Sequence, residues 1–131
     1  MLPRTRIHPG KAFDMSAHVE VADKKSVITL DGDLTLGHAG EIKRALEQAL
    51  NGSDAVLVKF GSVKSVDLAA LQLLCSAHRT ATGRQKTLTC VGSPPDGYWK
   101  FMDEAGYART TGCSLDSTNT CIWVKRNFIP E

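Results

Sequence analysis

Two adjacent segments in the middle of the chain constrain its fold more than any other part of the sequence. Residues 55–60 read Ala-Val-Leu-Val-Lys-Phe, a nearly continuous apolar run that predicts a central strand covered on both faces. A predicted loop, residues 61–66, leads to Asp67, which is a good N-cap for a helix. The helix over residues 68–78 is rich in Ala and Leu, the strongest helix formers, and we expect it to end near Gly83. A buried strand followed by a long helix is the predicted centre of the domain.

The rest of the chain alternates patterns typical of strands and helices. Apolar residues with period two predict short strands, and apolar residues spaced three and four apart predict amphipathic helices. The further predicted elements are strands over 19–21, 26–31, 87–91 and 120–125, a tight turn at 23–25, a loop over 32–37, a helix over 38–52, and a helix that enters at Ser93-Pro94 and closes at Gly106. The residues expected to face inward on that last helix are Tyr98, Phe101, Met102 and Ala105. The order predicts one α/β domain with a mixed sheet of about four to five strands and about three to four helices packed on it.

The charge of the chain argues against polyanionic partners. Sixteen Lys and Arg residues against 14 Asp and Glu residues give a formal net charge of +2. Residues 1–15 contain the whole excess, so residues 16–131 are neutral. We expect residues 1–16 to form a flexible tail and residues 17–131 to form the domain. No basic stripe with interleaved aromatic residues occurs, and the sequence therefore predicts no nucleic-acid binding.

The sequence lacks the patterns that are typical of membrane proteins, secreted proteins, metal-binding proteins and several enzyme classes. No apolar run approaches the ~20 residues that span a bilayer, and the start of the chain lacks a signal-peptide core, which predicts a cytoplasmic protein without membrane insertion. The four cysteines are expected to be free thiols, because they form no C-x-x-C pair and no zinc-binding spacing: Cys75, Cys90, Cys113 and Cys121. Nucleotide-binding, zinc-protease and serine-hydrolase motifs are absent, so we predict a binding module without metal or cofactor rather than an enzyme.

The outer face of the predicted helix over 68–78 is the candidate functional surface. The stripe expected to face the core contains Ala70, Leu71, Leu74 and Cys75. The opposite face contains Leu68, Ala69, Gln72, Leu73 and Ser76. An exposed helix face usually carries charged residues, so this uncharged face indicates either a partner protein or a covering element of the same domain.

The same region resembles the STAS family, which comprises the anti-sigma-factor antagonists and their relatives. The matching features are a strand over 56–60, a short loop with Val63 and Val66, Asp67 opening an Ala/Leu helix, and Gly32-Asp33-Leu34-Thr35 before an amphipathic helix. The resemblance extends from about residue 18 to about residue 110. The family's helix-opening motif, Asp-Ser-Ser-Gly-Leu-Gly or Asp-Ser-Ala-Gly-Leu, corresponds to Asp67-Leu68-Ala69-Ala70-Leu71-Gln72.

The resemblance implies a STAS-like fold and a protein-interaction role. In many members, a serine kinase that is also an anti-sigma factor phosphorylates the second serine of the motif, and the unphosphorylated form binds that kinase and releases the sigma factor. Backbone N–H groups and the helix dipole accommodate a phosphate in the first helical turn. The added negative charge disrupts an apolar interface through desolvation and repulsion.

This chain departs from the family pattern at the phosphorylated position. Ala69 stands at the usual acceptor position and Leu68 at its neighbour, so no phosphorylation is expected there. Thr35 stands where phosphorylated members often have an acidic residue. The remaining hydroxyl groups nearby are weak alternative acceptors: Thr35, Ser62, Ser65 and Ser76.

We therefore predict a bacterial signalling module that docks a partner through the loop before Asp67 and the start of the following helix. The predicted contact residues are Thr35, Ser65, Asp67, Leu68, Ala69, Gln72 and Leu73. The expected partner is an anti-sigma kinase or a sensor or chemotaxis protein. The alternative within the family is a STAS subunit of an ATP-driven lipid transporter that contacts its ATPase. A hypothesis of another class is a small nucleotide-binding protein or enzyme that uses Asp31, Asp33 and His38, and homodimer formation stays open.

Overall fold

Four strands form one mixed sheet in the computed structural model, which describes residues 15–130. The strands are β1 (Met15–Ala22), β2 (Lys25–Leu34), β3 (Ala55–Val66) and β4 (Thr87–Val91), and their order in the sheet is β1-β2-β3-β4. β1 is antiparallel to β2, whereas β2, β3 and β4 are parallel. The predicted mixed α/β class is confirmed. β1 begins two residues before the predicted start of the domain, and the rest of the predicted tail lies outside the described residues.

A two-residue turn joins β1 and β2 where the sequence predicted a tight turn. Asp23 and Lys24 have φ values of 51° and 63°. Positive φ at both central positions is typical of a type I′ turn, whose twist matches that of the two strands it connects. The turn thereby fixes the register of the β1–β2 hairpin.

Three helices complete the domain: α1 (Ala39–Gly52), α2 (Leu68–Gly83) and α3 (Tyr98–Glu104). α1 and α2 both pack on the sheet face that carries Ile28, Val58 and Cys90, which are register partners on β2, β3 and β4. The buried residues of α2 are Ala70, Leu71, Leu74, Cys75, Ala77, His78 and Ala81. This set contains the complete predicted inner stripe, and the helix begins at the predicted N-cap.

The opposite face of the sheet is half exposed, so the prediction that residues 55–60 are covered on both faces is wrong. Leu57 and its register partners Val27 and Thr89 are only partly buried. Crossovers between parallel strands are right-handed, and successive crossovers in one direction along a sheet place their helices on the same face. α1 and α2 therefore form a single helical layer.

β2 and β3 both continue through segments that the sequence predicted to be loops. β2 extends to Leu34 and β3 extends to Val66. Pairing continues past register shifts on either side of Gly32, whose φ is 87°. The glycine and polar residues that suggested a loop belong instead to a β-bulge, in which Gly32 has the left-handed conformation.

α3 is shorter than predicted. It begins at Tyr98 with Gly97 as its N-cap, rather than at Ser93-Pro94, and it ends at Glu104. Tyr98 and Met102 are buried, whereas Phe101 is half-buried. Ala105 is exposed rather than inward-facing, because it lies after the last helical residue.

The predicted strand over 120–125 is wrong. That segment makes only an isolated bridge between Arg109 and Val124, and a one-turn 3-10 helix follows at Lys125–Asn127. Its apolar residues are nevertheless buried, because the segment packs on α2 instead of joining the sheet: the Trp123 indole N–H donates to Cys75 Sγ at 3.2 Å. Ile129 alone pairs with the edge of β4, beside Val91.

Candidate functional site

Asp67 joins the start of α2 to the segment that follows β2. Its Oδ1 accepts a hydrogen bond from the Ala70 N–H at 3.0 Å, which is the N-cap bond predicted from the sequence. Its Oδ2 accepts a second bond from the Leu36 N–H at 2.8 Å. Its own N–H donates to the Leu34 carbonyl at 3.0 Å. One side chain therefore fixes the position of the β2–α1 connection relative to the first turn of α2.

This arrangement presents three apolar residues at one end of the domain. Leu36 is 69% exposed, a larger fraction than for any other large apolar residue between positions 15 and 130. Leu68 and Ala69 are half-buried in the first turn of α2. We call Leu36, Leu68 and Ala69 the apolar patch. Leu36 was not among the predicted contact residues; its only sequence signal is an apolar residue in a Thr-Leu-Gly turn.

The Thr35 carbonyl and the Ser65 hydroxyl each form a hydrogen bond within this end of the domain. The Thr35 carbonyl accepts from the His38 N–H at 2.9 Å and so begins a one-turn 3-10 helix, Leu36–His38. The Ser65 hydroxyl donates to the Asp33 carboxylate. Thr35 directly follows β2 and Ser65 lies near the end of β3, at the same end of the sheet as Asp67.

The two carboxylates of β2 hold the end of β3. Asp31 Oδ1 accepts from the Ser62 N–H at 2.7 Å, while Asp33 accepts from Ser65. Asp31 also lies against Gly61, where a Cβ atom would stand 2.1 Å from its Oδ1. These contacts tie the bulged ends of the two strands together, which gives both carboxylates a structural role.

Asp31, Asp33 and His38, the residues of the enzyme hypothesis, form hydrogen bonds with different parts of the domain. Asp31 and Asp33 bond to β3, whereas His38 Nδ1 lies 3.1 Å from Glu41 Oε1 on α1. Within residues 15–130, no group of three or more His, Cys, Asp or Glu side chains could hold a metal ion. The structure therefore gives no support to a shared site of these three residues.

Gln72 and Leu73 lie on different sides of α2. Leu73 and Ser76 line a groove of about 200 Å³ between α1 and α2. Gln72 borders a cavity between α2 and the chain that follows α3. The predicted outer face of α2 is thus divided between two grooves after its first turn, and Leu68 and Ala69 directly follow Asp67, the residue that bonds to the Leu36 N–H.

A family model described as "Mlab, STAS domain" matches residues 17–112. The chain belongs to the STAS family. The match covers most of the chain and confirms the resemblance seen in the sequence. No curated protein matches the chain.

Three solved structures share the fold of this STAS domain. An anti-sigma factor antagonist from Mycobacterium paratuberculosis has a TM-score of 0.60 and 17% identity, with 71% of this chain and 79% of that chain covered. The anti-sigma factor antagonist SpoIIAA in its unphosphorylated form has a TM-score of 0.58 and 16% identity, with coverages of 70% and 81%. The phosphorylated form of the Bacillus cell fate determinant SpoIIAA has a TM-score of 0.56 and 17% identity, with coverages of 70% and 84%. The fold is SpoIIAA-like, and a STAS domain is in general a protein-interaction module.

Residues 113–130, the C-terminal segment, lie beyond the STAS family match. They attach to α2 through a buried polar cluster. His78 Nε2 is 2.7 Å from Thr120 Oγ1 and 3.6 Å from Asp116 Oδ1. The Asp116 carboxylate accepts the N–H groups of Thr120 and Cys121 at 3.1 and 3.2 Å. Burial lowers the pKa of His78 below 6.5; Asp116 opposes this effect and Arg79 adds to it.

The four cysteines of the chain differ in exposure. Cys75, Cys90 and Cys121 are buried, Cys113 is partly exposed, and all four are free. Burial, together with Cys121, raises the pKa of the Cys90 thiol to about 12, so this thiol is protonated at neutral pH. Between residues 15 and 130, the helices are all too short or too polar to span a membrane.

Proposed function

We propose that this STAS domain is a constitutive docking module of bacterial signalling, of the anti-sigma-factor-antagonist type, and that its partner contacts the apolar patch. The observation that carries the proposal is the position of Leu36. This residue is 69% exposed, yet the bond from its N–H to Asp67 holds it beside the first turn of α2. Because the backbone of Leu36 is already held in place, a partner that covers its side chain does not have to order this turn. The proposed partner is a cytoplasmic anti-sigma kinase or sensor protein.

The side chains at the start of α2 support binding without a serine switch. Leu68 and Ala69 carry no hydroxyl group, so the usual phosphorylation of the first turn has no acceptor. The nearest serine hydroxyl, that of Ser65, donates to the Asp33 carboxylate. A phosphoryl group on Ser65 would stand against that carboxylate and be repelled. We therefore propose that partner binding is controlled by the amounts of the two proteins rather than by phosphorylation here.

Variants of the patch test this proposal. The full chain is used as bait in its host, the partner is identified by mass spectrometry, and the Kd of the purified pair is measured by isothermal titration calorimetry. Leu36→Ala should weaken binding about tenfold, since burial of a leucine side chain contributes ~1.5 to 3 kcal/mol and alanine retains part of it. Leu68→Asp should weaken binding about 100-fold or more, because it places an unpaired charge in an apolar contact.

Val21→Ala is the matched control for these variants. Val21 is a 49% exposed apolar residue on β1 and is not part of the apolar patch. Its replacement should leave the Kd unchanged. If Leu36→Ala and Leu68→Asp bind the partner as tightly as the unaltered chain does, the docking surface lies elsewhere and the proposal fails.

A second candidate function uses the same patch in a permanent complex. In this case the domain is a STAS subunit of an ATP-driven lipid transporter and contacts its ATPase. An apolar patch without a switch suits a permanent subunit, and the matching family model carries the description Mlab. The identity of the captured partner separates the two candidates: an anti-sigma kinase or sensor supports the first, and an ATPase subunit supports the second.

A further inference from the structure

A cavity of about 400 Å³ lies between α2 and the chain that follows α3. Its size is within the range of small-molecule sites. Gln72 and Arg79 contribute from α2, and Tyr107, Arg109 and Trp123 contribute from the other wall. Trp123 belongs to the C-terminal segment, so the cavity depends on a part of the chain outside the STAS family match.

The cavity carries positive charge without a compensating carboxylate. Arg79 and Arg109 both line it, and no Asp or Glu does. Within the described residues, neither arginine forms an ion pair with a carboxylate. Arg109 Nε donates to the Thr111 carbonyl at 3.0 Å, which orients this guanidinium from one side. Residues 16–131 balance in charge overall, so this pair of cations is a local feature that attracts an anion.

The aromatic side chains give the cavity an apolar wall. The rings of Tyr107 and Trp123 have centroids 5.1 Å apart and an interplanar angle of 33°. The Trp123 indole N–H is already bonded to Cys75 Sγ, so the only polar atom of this ring is occupied and the ring contributes apolar carbon atoms. A bare inorganic anion would leave this wall and most of the volume unfilled. A ligand with a flat apolar body and one carboxylate matches both features.

We propose that this cavity binds a small organic carboxylate, with its anionic group held by Arg79 and Arg109 and its apolar body against Tyr107 and Trp123. Guanidinium groups bind carboxylates through paired charge-assisted hydrogen bonds. The site is separate from the apolar patch, although Gln72 borders it one helical turn beyond Leu68. The proposal is independent of the docking function.

The test uses the full chain and naphthalene-2-carboxylate as the probe. Trp99 and Trp123 are the two tryptophans of the chain, so a Trp99→Phe background leaves Trp123 as the fluorescent reporter. We expect a saturable change in its fluorescence with a Kd at or below about 1 mM. Arg79→Gln, Arg109→Gln and the neutral probe naphthalene-2-carboxamide should each weaken binding about tenfold, because each removes one side of the charged contact.

Two controls locate the bound probe. Arg44→Gln removes an exposed arginine of α1 outside the cavity and should leave the Kd unchanged. Cys113, the partly exposed cysteine, lines the cavity, so bound probe should slow its alkylation by iodoacetamide as followed by intact mass. If Arg109→Gln alters the circular dichroism spectrum, the Kd of the Arg79→Gln variant tests the proposal instead. Arg79 is exposed on α2, so its replacement should leave the fold intact.

Three results would overturn the assignment. They are equal affinity for the carboxylate and the carboxamide, unchanged affinity in the folded arginine variants, and no saturable signal up to about 10 mM, ten times the expected Kd. None of them bears on the apolar patch, whose variants lie outside the cavity. Failure of the two proposals is therefore distinguishable.

Discussion

At the scale of residues, Asp67 shows how one side chain fulfils a local and a long-range role. Its bond to the Ala70 N–H caps α2 and is implied by the local sequence. Its bond to the Leu36 N–H joins positions 31 residues apart and has no local signal. The second bond is the one that places Leu36 in the apolar patch.

Replacement of Asp67 should cost more than the loss of an ordinary N-cap. We expect Asp67→Ala to lower the free energy of unfolding by about 2 kcal/mol, because two backbone N–H groups lose their acceptor. Asp67→Asn keeps one acceptor oxygen and should cost about half as much. Urea unfolding at neutral pH measures both values.

Asp103→Ala serves as the control for this pair. Asp103 is an exposed residue of α3, and its side chain forms no hydrogen bond within the described residues. Its replacement should change the unfolding free energy by less than about 0.5 kcal/mol. Equal costs for Asp67→Ala and Asp67→Asn would show that the carboxylate does not bridge the two N–H groups.

At the scale of elements, α2 is the helix on which the other parts of the domain assemble. One side packs with α1 on the sheet, and another side receives the C-terminal segment through His78 and Cys75. Of the predicted outer face, Gln72 and Ser76 are exposed, while Leu68, Ala69 and Leu73 are half-buried. The domain's own elements therefore cover the uncharged outer face only in part and leave the rest of it accessible.

The contact of His78 with the C-terminal segment should make stability depend on pH. Burial lowers the pKa of folded His78 below 6.5, so the unfolded chain binds more protons than the folded chain between the folded pKa and 6.5. The free energy of unfolding should therefore fall as pH decreases through 6.5, and level off below the folded pKa. Urea unfolding from pH 8 to about pH 5 measures this slope.

His78→Gln isolates the contribution of the imidazole. Glutamine keeps a polar group that can bond to Thr120 but does not titrate, so its unfolding free energy should vary less over the same pH range. His18→Gln is the matched control, because His18 is exposed on β1. An identical pH slope in His78→Gln and the unaltered chain would contradict the prediction.

At the scale of the whole molecule, the hydrophobic core extends beyond the family-matched region. The sheet has one helical layer, and the C-terminal segment adds four consecutive buried residues to it: Cys121, Ile122, Trp123 and Val124. These side chains join the same core cluster as the residues of β2, β3 and α2. Residues 121–124 therefore share one core with the family-matched region.

Loss of this packing should destabilise the whole domain. Ile122 is 1% exposed, and Ile122→Ala should lower the free energy of unfolding by about 3 kcal/mol. Leu115, in the same segment, is 53% exposed, so Leu115→Ala should cost less than about 0.5 kcal/mol. Chemical denaturation followed by circular dichroism compares the two. Similar small effects would show that the segment folds separately from the core.

The sequence by itself determined the elements whose signals are local. The strand at 55–60, the helix α1 and the period and N-cap of α2 were predicted correctly, because each depends on neighbours within a few residues. The absence of hydroxyl groups at Leu68 and Ala69 is likewise a fact of the sequence. These features were enough for the fold class and for the family resemblance.

Only the tertiary structure decided the features that depend on distant residues. The ends of β2, after Gly32, and of β3, after Phe60, are strands because they pair with each other across about 30 residues of sequence. The glycine and polar residues in both ends had indicated loops. The burial of 121–124 depends on packing against α2, which includes the contact of Trp123 with Cys75, 48 residues earlier. No local signal marks this packing, so the apolar run resembled a strand. The position of Leu36 beside α2 and the cavity lined by Arg79 and Arg109 both depend on contacts between segments that are distant in the sequence. The periodicity of apolar residues along the chain carries no information about these long-range contacts, because burial depends on which surfaces pack together and not on neighbours in the sequence.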